Sequence, residues 1–292
     1  MALTHDSGLV EVVDRVWVSR HSWFDMNLTV IAGTAGLVVI DTLPSDRAAR
    51  TAIADLRRKL NQPVVAIINT HEHFDHVLGN ATFKEVWPEA SLIAHEVAAS
   101  RTVVAAEAVR RLYEADPDEP GRDEVLATEP LAADDTFASV RVLDLGDRAL
   151  ELVHPGRGHT AGDIVIHDPT AGVLVAGDLV EESQDRGGAP GFGTESHPFE
   201  WPLTLDVVLN MTRDDTLVVP GHGAIVDRAY VEEQRAHLGV IAETIRDLAG
   251  RGVSAAAALD AAQWPYRREF LGDAITRGYA DLPNSAKRLP LL

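Results

Sequence analysis

Residues 70–79 read Thr70-His71-Glu72-His73-Phe74-Asp75-His76-Val77-Leu78-Gly79. Three histidines and one aspartate fall within six residues of a chain with only 12 histidines in 292. Imidazole and carboxylate at this density suit a borderline divalent cation such as zinc, which takes nitrogen and oxygen donors. Just upstream, Pro63-Val-Val-Ala-Ile-Ile-Asn69 is a short β-branched apolar run without polar alternation, the pattern of a strand buried on both faces. The donors therefore stand where a sheet strand ends and the chain turns. While the backbone stays extended, positions 71, 73 and 75 project to one side, and His76 comes from the turn.

Three later stretches repeat this placement. Gly158-His159-Thr160-Ala161-Gly162 sets a histidine in a glycine-flanked turn after an apolar strand. Gly177-Asp178 follows the run Val173-Leu-Val-Ala176, which puts the carboxylate at a strand end, and Gly221-His222-Gly223 follows Leu217-Val-Val219. Glycine lets the backbone turn tightly and come close to a metal. A lone Gly-Asp or Gly-His carries little weight; four such tips converging on one sheet edge carry a great deal.

The elements that must position these groups are legible as pattern. Strands are predicted over Leu9–Val18, Asn27–Gly33 and Gly36–Asp41, with a helix from Ser45 to about Leu60. A short helix near Thr82–Val86, a strand at Ser91–Ala94 and a helix from Glu96 to Tyr113 follow the histidine cluster. Residues 116–130, acidic and proline-rich, read as an exposed loop or the edge of a lid. Strands resume at Arg141–Leu145, Ala149–His154, Asp163–Ile166 and Val173–Ala176. The loop 183–202 carries Phe192, His197, Phe199 and Trp201, a composition suited to a substrate wall. Helices are predicted over Pro202–Met211, Tyr230–Ala249 and about 266–280. Strands with interspersed helices thus occur twice, before and after about residue 135, which predicts two facing sheets with helices outside.

Composition narrows the classes. The chain is 46% apolar and 24% charged, ordinary for a globular protein with a real core. Its formal net charge of −19 argues against nucleic acid or an anionic membrane as partner. Cysteine is absent, so disulfides, thiolate ligands and cysteine nucleophiles are excluded. No apolar run approaches the roughly 20 residues of a membrane span. The opening Met1-Ala-Leu-Thr-His-Asp-Ser-Gly8 lacks a basic segment followed by an apolar one, so no signal peptide and a cytoplasmic location are expected.

The set His71-x-His73-x-Asp75-His76, Gly158-His159-Thr160, Gly177-Asp178 and Gly221-His222-Gly223 resembles the metallo-β-lactamase superfamily. The order of the motifs and the early Val39-Ile40-Asp41-Thr42 strand end match that family too, over roughly residues 10–228. The resemblance implies an α+β fold, a four-layer αββα sandwich spanning 1–228; residues 229–292 exceed it and are read as a helical extension packed on the same domain, with a cover for the site or a dimer surface as the alternatives. It implies a dinuclear site in which His71, His73 and His159 hold one metal, Asp75, His76 and His222 hold the other, and Asp178 bridges. Two zinc ions are expected, with iron or manganese as alternatives. A hydroxide shared by the two cations would be the nucleophile, with Asp75 and Asp178 as catalytic carboxylates carrying its proton. Asp41, Thr70 and Asp163 are either groups that orient the imidazoles or ordinary turn and cap residues.

The expected activity is metal-dependent hydrolysis of an ester, thioester, lactone or amide in a small molecule, by a monomer or homodimer. Rivals are a mononuclear iron dioxygenase of the persulfide dioxygenase type and a β-lactam hydrolase. Cysteine-bearing lactamases of the family have Cys where Asp178 stands, and a nearby Lys for the drug carboxylate; this chain has Glu181 three residues on, which would repel it. Glu181, His197 and Trp201 are the candidate substrate contacts, a core position being the equal alternative for Trp201. The remaining histidines are read as surface or packing residues.

Overall fold

The structure, a computed structural model, describes residues 3–283. The first two residues of the segment read for a signal peptide, and residues 284–292 of the expected extension, lie outside it. Strands β1 (Val10–Val13), β2 (Val16–His21), β3 (Met26–Gly33) and β4 (Gly36–Ile40) form an antiparallel meander. Helix α1 (Asp46–Lys59) leads to β5 (Val64–Ile68), then α2 (Phe74–Val77), α3 (Asn80–Val86) and β6 (Ser91–His95). Helices α4 (Glu96–Ala115) and α5 (Arg122–Ala127) precede β7 (Asp135–Phe137). The second half opens with β8 (Val140–Asp144), β9 (Ala149–Val153), β10 (Val165–Asp168) and β11 (Val173–Glu181). Helix α6 (Trp201–Met211), β12 (Leu217–His222), α7 (Arg228–Gly250), α8 (Ala255–Ala261) and α9 (Gly272–Asp281) complete it.

The strand order is β7-β6-β5-β4-β3-β12-β11-β10-β9-β8, with β2 also on β3 and β1 on β2. One backbone pair, Met26 with His222, joins β3 to β12 and so links the two halves. The ribbon's two ends, β7 and β8, are consecutive in sequence and separated only by Ala138-Ser139.

Period-two alternation explains the layers. Val38, Ile40, Ala66 and Ile68 face inward, where they meet Leu150, Leu152, Val173, Val175 and Val219 from the other half. Their neighbours Leu37, Val39 and Ile67 face outward against Ile53 and Leu56 of α1 and Phe83 of α3. On the far side Leu174, Ala176 and Val218 face Leu205 of α6, Leu238, Ile241 and Ile245 of α7, Ala258 of α8 and Ile275 of α9. The result is the αββα sandwich. Helix α1 starts where expected because the Ser45 hydroxyl accepts the Ala48 amide proton at 3.1 Å, an N-cap.

Three expectations need correction. The predicted strand Leu9–Val18 is a hairpin broken at Asp14-Arg15, with Arg15 in the left-handed region at φ 59°. Apolar alternation runs through that turn without a glycine to mark it. The segment 116–130 is not all loop: α5 forms there because Val125 is buried with Leu78, Ala106 and Tyr113. Strand β11 does not stop at Ala176 but continues through Asp178 to Glu181.

Ile68 is fully buried between the sheets. Ile68→Ala is expected to lower unfolding free energy by about 2–5 kcal/mol. Denaturant titration measures it; a loss below about 1 kcal/mol would mean the inner layer is not close-packed there.

Candidate metal centre

Strand β5 ends at Ile68, and residues 69–73 cross the sheet edge before α2 begins at Phe74 with His73 as its N-cap. That helix start corrects the expectation of one common side for 71, 73 and 75. His71 and His73 come from the bend and cap before the helix; Asp75 and His76 lie within it. The donors therefore fall in two groups, His71, His73, His159 and Asp178 in one, and Asp75, His76 and His222 in the other.

His159 is carried by the loop after β9, tied by Asp163, whose carboxylate accepts the Thr160 amide at 2.9 Å and its hydroxyl at 2.7 Å. Asp178 lies inside β11, not at its end. The register slips on either side of Gly177, which takes φ +53°, and the bulge aims the next side chain at the sheet edge. His222 is the last residue of β12. At Gly221 an added Cβ would sit 1.8 Å from Asp178 Oδ1, so only glycine leaves room for that carboxylate.

The spacing of the donors fits divalent cations. In the first group His73 Nδ1 lies 2.8 Å from His159 Nε2, with Asp178 Oδ2 3.3 Å from His159 Nε2 and 3.6 Å from His71 Nε2. In the second, His222 Nε2 is 3.3 Å from both His76 Nε2 and Asp75 Oδ2. A tetrahedron of donors about zinc has edges of roughly 3.3 Å. Asp178 also reaches the second group, at 3.2 Å from His76 Nε2 and 3.3 Å from His222 Nε2. His71 Nε2 and Asp178 Oδ1 are buried with no hydrogen-bond partner, an orphaned pair that a cation would satisfy.

The outward ring nitrogens are held by the chain. His159 Nδ1 donates to Gly191 O at 2.7 Å and His222 Nδ1 to Phe24 O at 2.7 Å. His76 Nδ1 donates to Asp41 Oδ2 at 2.8 Å, and His73 Nε2 meets Glu195 Oε1 at 2.8 Å. His71 Nδ1 is 3.1 Å from Thr70 Oγ1, whose hydroxyl donates to Asp41 at 2.8 Å. Asp41 thus contacts the site through both Thr70 and His76. Glu195 and the two carbonyls carry no motif in the sequence; the glycine at 191, where a Cβ would approach His159 to 3.4 Å, is the one signal available.

Burial holds His71 well below its ordinary pKa and pushes His159 down to about 4, leaving both neutral with free lone pairs. Burial also opposes charge on His73, His76 and His222. There the carboxylates win: Glu195 beside His73, and Asp178 beside the other two, hold these rings above their ordinary value. Burial pushes Asp75 up, but His76 and His222 outweigh it and hold the carboxyl at about 2. Asp75 and Asp178, both beside His76 and His222, therefore attract positive charge, which protons or a dication can supply.

A cleft of about 500 Å³ opens onto His73, Asp75, His159, Asp178 and His222. Trp23 and Phe24 stand at its lip. Of the candidate substrate contacts, Glu181 is in the cleft wall but buried, its carboxylate accepting the Gly191 amide. His197 is not in the cleft; its Nδ1 lies 4.0 Å from Glu200 Oε1. Trp201 is not there either: fully buried, it packs edge-on against His159 and Phe192 and donates Nε1–H to Leu179 O at 3.1 Å. The aromatic stretch supplies core under the site, not a wall over it, because α6 begins at Trp201 and turns the ring inward.

The family model described as the Metallo-beta-lactamase superfamily matches residues 22–222, and the chain belongs to that superfamily. A metallo-beta-lactamase type 2 of Bacillus cereus is 30% identical over 207 residues, 70% of each chain. The solved stereoselective inverting sec-alkylsulfatase of Pseudomonas sp. superposes with a TM-score of 0.73 at 19% identity, over 98% of this chain and 52% of that one. A beta-lactamase domain protein from Burkholderia ambifaria gives a TM-score of 0.70 at 21% identity, over 94% of this chain and 88% of that one. Among the described residues no helix is long and apolar enough to cross a membrane.

Gly221→Ala is expected to displace Asp178 and remove most metal uptake while leaving the fold, as read by circular dichroism; full uptake would show that Asp178 is dispensable. Zinc uptake at pH 7 is expected to release protons from His76 and His222, and affinity to fall as pH is lowered, because their raised pKa values make the proton a competitor. Titration calorimetry in buffers of different ionisation enthalpy reads the release; none at pH 7 would contradict the charge balance.

Proposed function

We propose that this chain is a dinuclear, zinc-dependent hydrolase of small molecules carrying an ester, thioester, lactone or amide. The observation that carries the reading is the position of Asp178, within 3.2–3.6 Å of ring nitrogens from both donor groups. His71, His73 and His159 would hold one cation, Asp75, His76 and His222 the other, with Asp178 between them. Divalent ions held there supply an acidified water and a polarised carbonyl.

The chain's own residues account for the rest. Asp75 opens onto the cleft and reaches His222 Nε2 at 3.3 Å, so its carboxylate can take a proton from the attacking water and return it to the leaving group. Trp23 and Phe24 offer an apolar lip to the substrate and exclude water from one side. Glu119 and Asp185 also line the cleft beside Arg186; Asp25 there is paired with Arg20, and burial pushes the Glu181 carboxyl up to about 7. This small excess of acid at the cleft favours neutral or cationic substrates over anions.

A second reading is hydrolysis of an alkyl sulfate. It is supported by the (R)-specific secondary-alkylsulfatase of Pseudomonas sp., 38% identical over 79 residues, 26% of this chain and 12% of that protein. The acidic cleft counts against it, as it counts against β-lactam carboxylates.

The test is a panel of lactones, thioesters, aryl esters, alkyl sulfates and cephalosporins, each with and without chelator, beside metal analysis. Chelator-sensitive turnover of neutral esters or lactones is expected, with two zinc ions per chain. His73→Ala should abolish turnover with little change in fold. One iron per chain, or activity that survives metal removal, would overturn the assignment. Preference for alkyl sulfates would select the second reading.

A further inference from the structure

The five imidazoles of the centre are held from behind by unlike partners. Thr70 backs His71, Asp41 backs His76, and main-chain carbonyls of Gly191 and Phe24 back His159 and His222. His73 alone has Glu195, at 2.8 Å from Nε2. His73 is also the only one of the five that turns Nδ1 toward the other donors; the rest present Nε2. Which nitrogen faces inward follows from where the outward partner stands.

The charges are uneven as well. The group of Asp75, His76 and His222 has its own carboxylate, with Asp41 behind it. The group of His71, His73 and His159 has only Asp178, which it shares. Asp41 reaches that group only through the Thr70 hydroxyl, and Glu181 stays 4.0 Å from His159 Nδ1. Glu195 is the one carboxylate hydrogen-bonded directly to an imidazole of the trio.

We propose that Glu195 is a positioning residue for His73: it keeps the proton on Nε2, fixes the ring's rotation so that Nδ1 faces the cation, and strengthens that one metal position with its charge. Its own placement is built. Thr194 Oγ1 donates to Glu195 Oε2 at 3.0 Å, and Gly193 lies against the carboxylate so closely that an added Cβ would sit 2.2 Å from Oε1. The same loop, between β11 and α6, supplies the Gly191 carbonyl to His159. One loop thus backs the imidazoles of two ligands of the first group and of none in the second, where it meets only the His222 main chain. A carboxylate behind a ligating imidazole raises its basicity and is worth about 10–100-fold in metal affinity.

The proposal rests on the metal-binding role assigned above, and Glu195→Gln tests it by keeping shape and an acceptor while removing the charge. Metal-free wild type and variant are titrated with Zn²⁺ against a chromophoric chelator, and the metal-free proteins are melted. Expected are two sites in each, one of them weakened about 10–100-fold in the variant, the other unchanged, with the same melting temperature. In a His73→Ala background, Glu195→Gln should change neither remaining affinity nor melting. Two unchanged affinities would overturn the proposal. So would equal weakening of both sites, or an effect of the same size without His73. A wild type that takes up no metal at all would remove this proposal together with the hydrolase assignment.

Discussion

Imidazole nitrogens whose protons are held on the far side of the ring repel when they face one another, and a proton or a cation between them relieves it. Gly191 O accepts the His159 Nδ1 proton and Glu195 faces His73 Nε2, so the inward nitrogens, 2.8 Å apart, are the ones with lone pairs to give. His76 and His222 stand 3.3 Å apart with Asp41 and Phe24 O behind them, and there the neighbouring Asp178 favours protons that a cation would displace. Much of the surrounding structure serves to keep these repelling atoms close. The bulge at Gly177, the missing side chain at Gly221 and the early start of α2 each remove an obstacle to that crowding.

The sandwich supplies the rigidity this requires. Donors come from the edges of both halves, and the Met26–His222 pair binds the halves together at the edge where they meet. Behind it lies an inner layer of Val, Ile and Leu side chains from both sheets. Dispersion and burial in that layer, not the polar groups at the rim, resist the mutual repulsion of the site before it is neutralised.

Much of this was readable from residue types. The seven donors stand out because histidine is scarce and the later ones sit beside glycine at the end of apolar runs; the structure brings all seven together. Their division into two groups came from the family resemblance and not from the spacing, which put 71, 73 and 75 on one side and could not show that α2 begins at Phe74. Asp178 looked like a strand terminus because Gly177 mimics a stop, yet β11 absorbs the glycine as a bulge and runs on to Glu181. The carbonyls of Gly191 and Phe24 have no signature, because every residue carries one. Glu195 is a common residue in a loop, and only the fold brings it 122 positions back to His73. Trp201 misled for the opposite reason: aromatic side chains in a loop-like stretch are as much at home in a core.

The strand order has a topological consequence. β7 and β8 lie at opposite ends of the ribbon, yet Ala138-Ser139 joins them directly, while β3 and β12 are stitched at its middle. The barrel-like circuit is therefore closed by covalent chain at one seam and by a backbone rung at the other. Cutting the chain between 138 and 139 would leave two pieces, each contributing one sheet and its outer helices, with four of the seven donors on the first piece and three on the second. Neither piece could cover its inner face alone, so the two should behave as complementing halves whose reassembly rebuilds the centre.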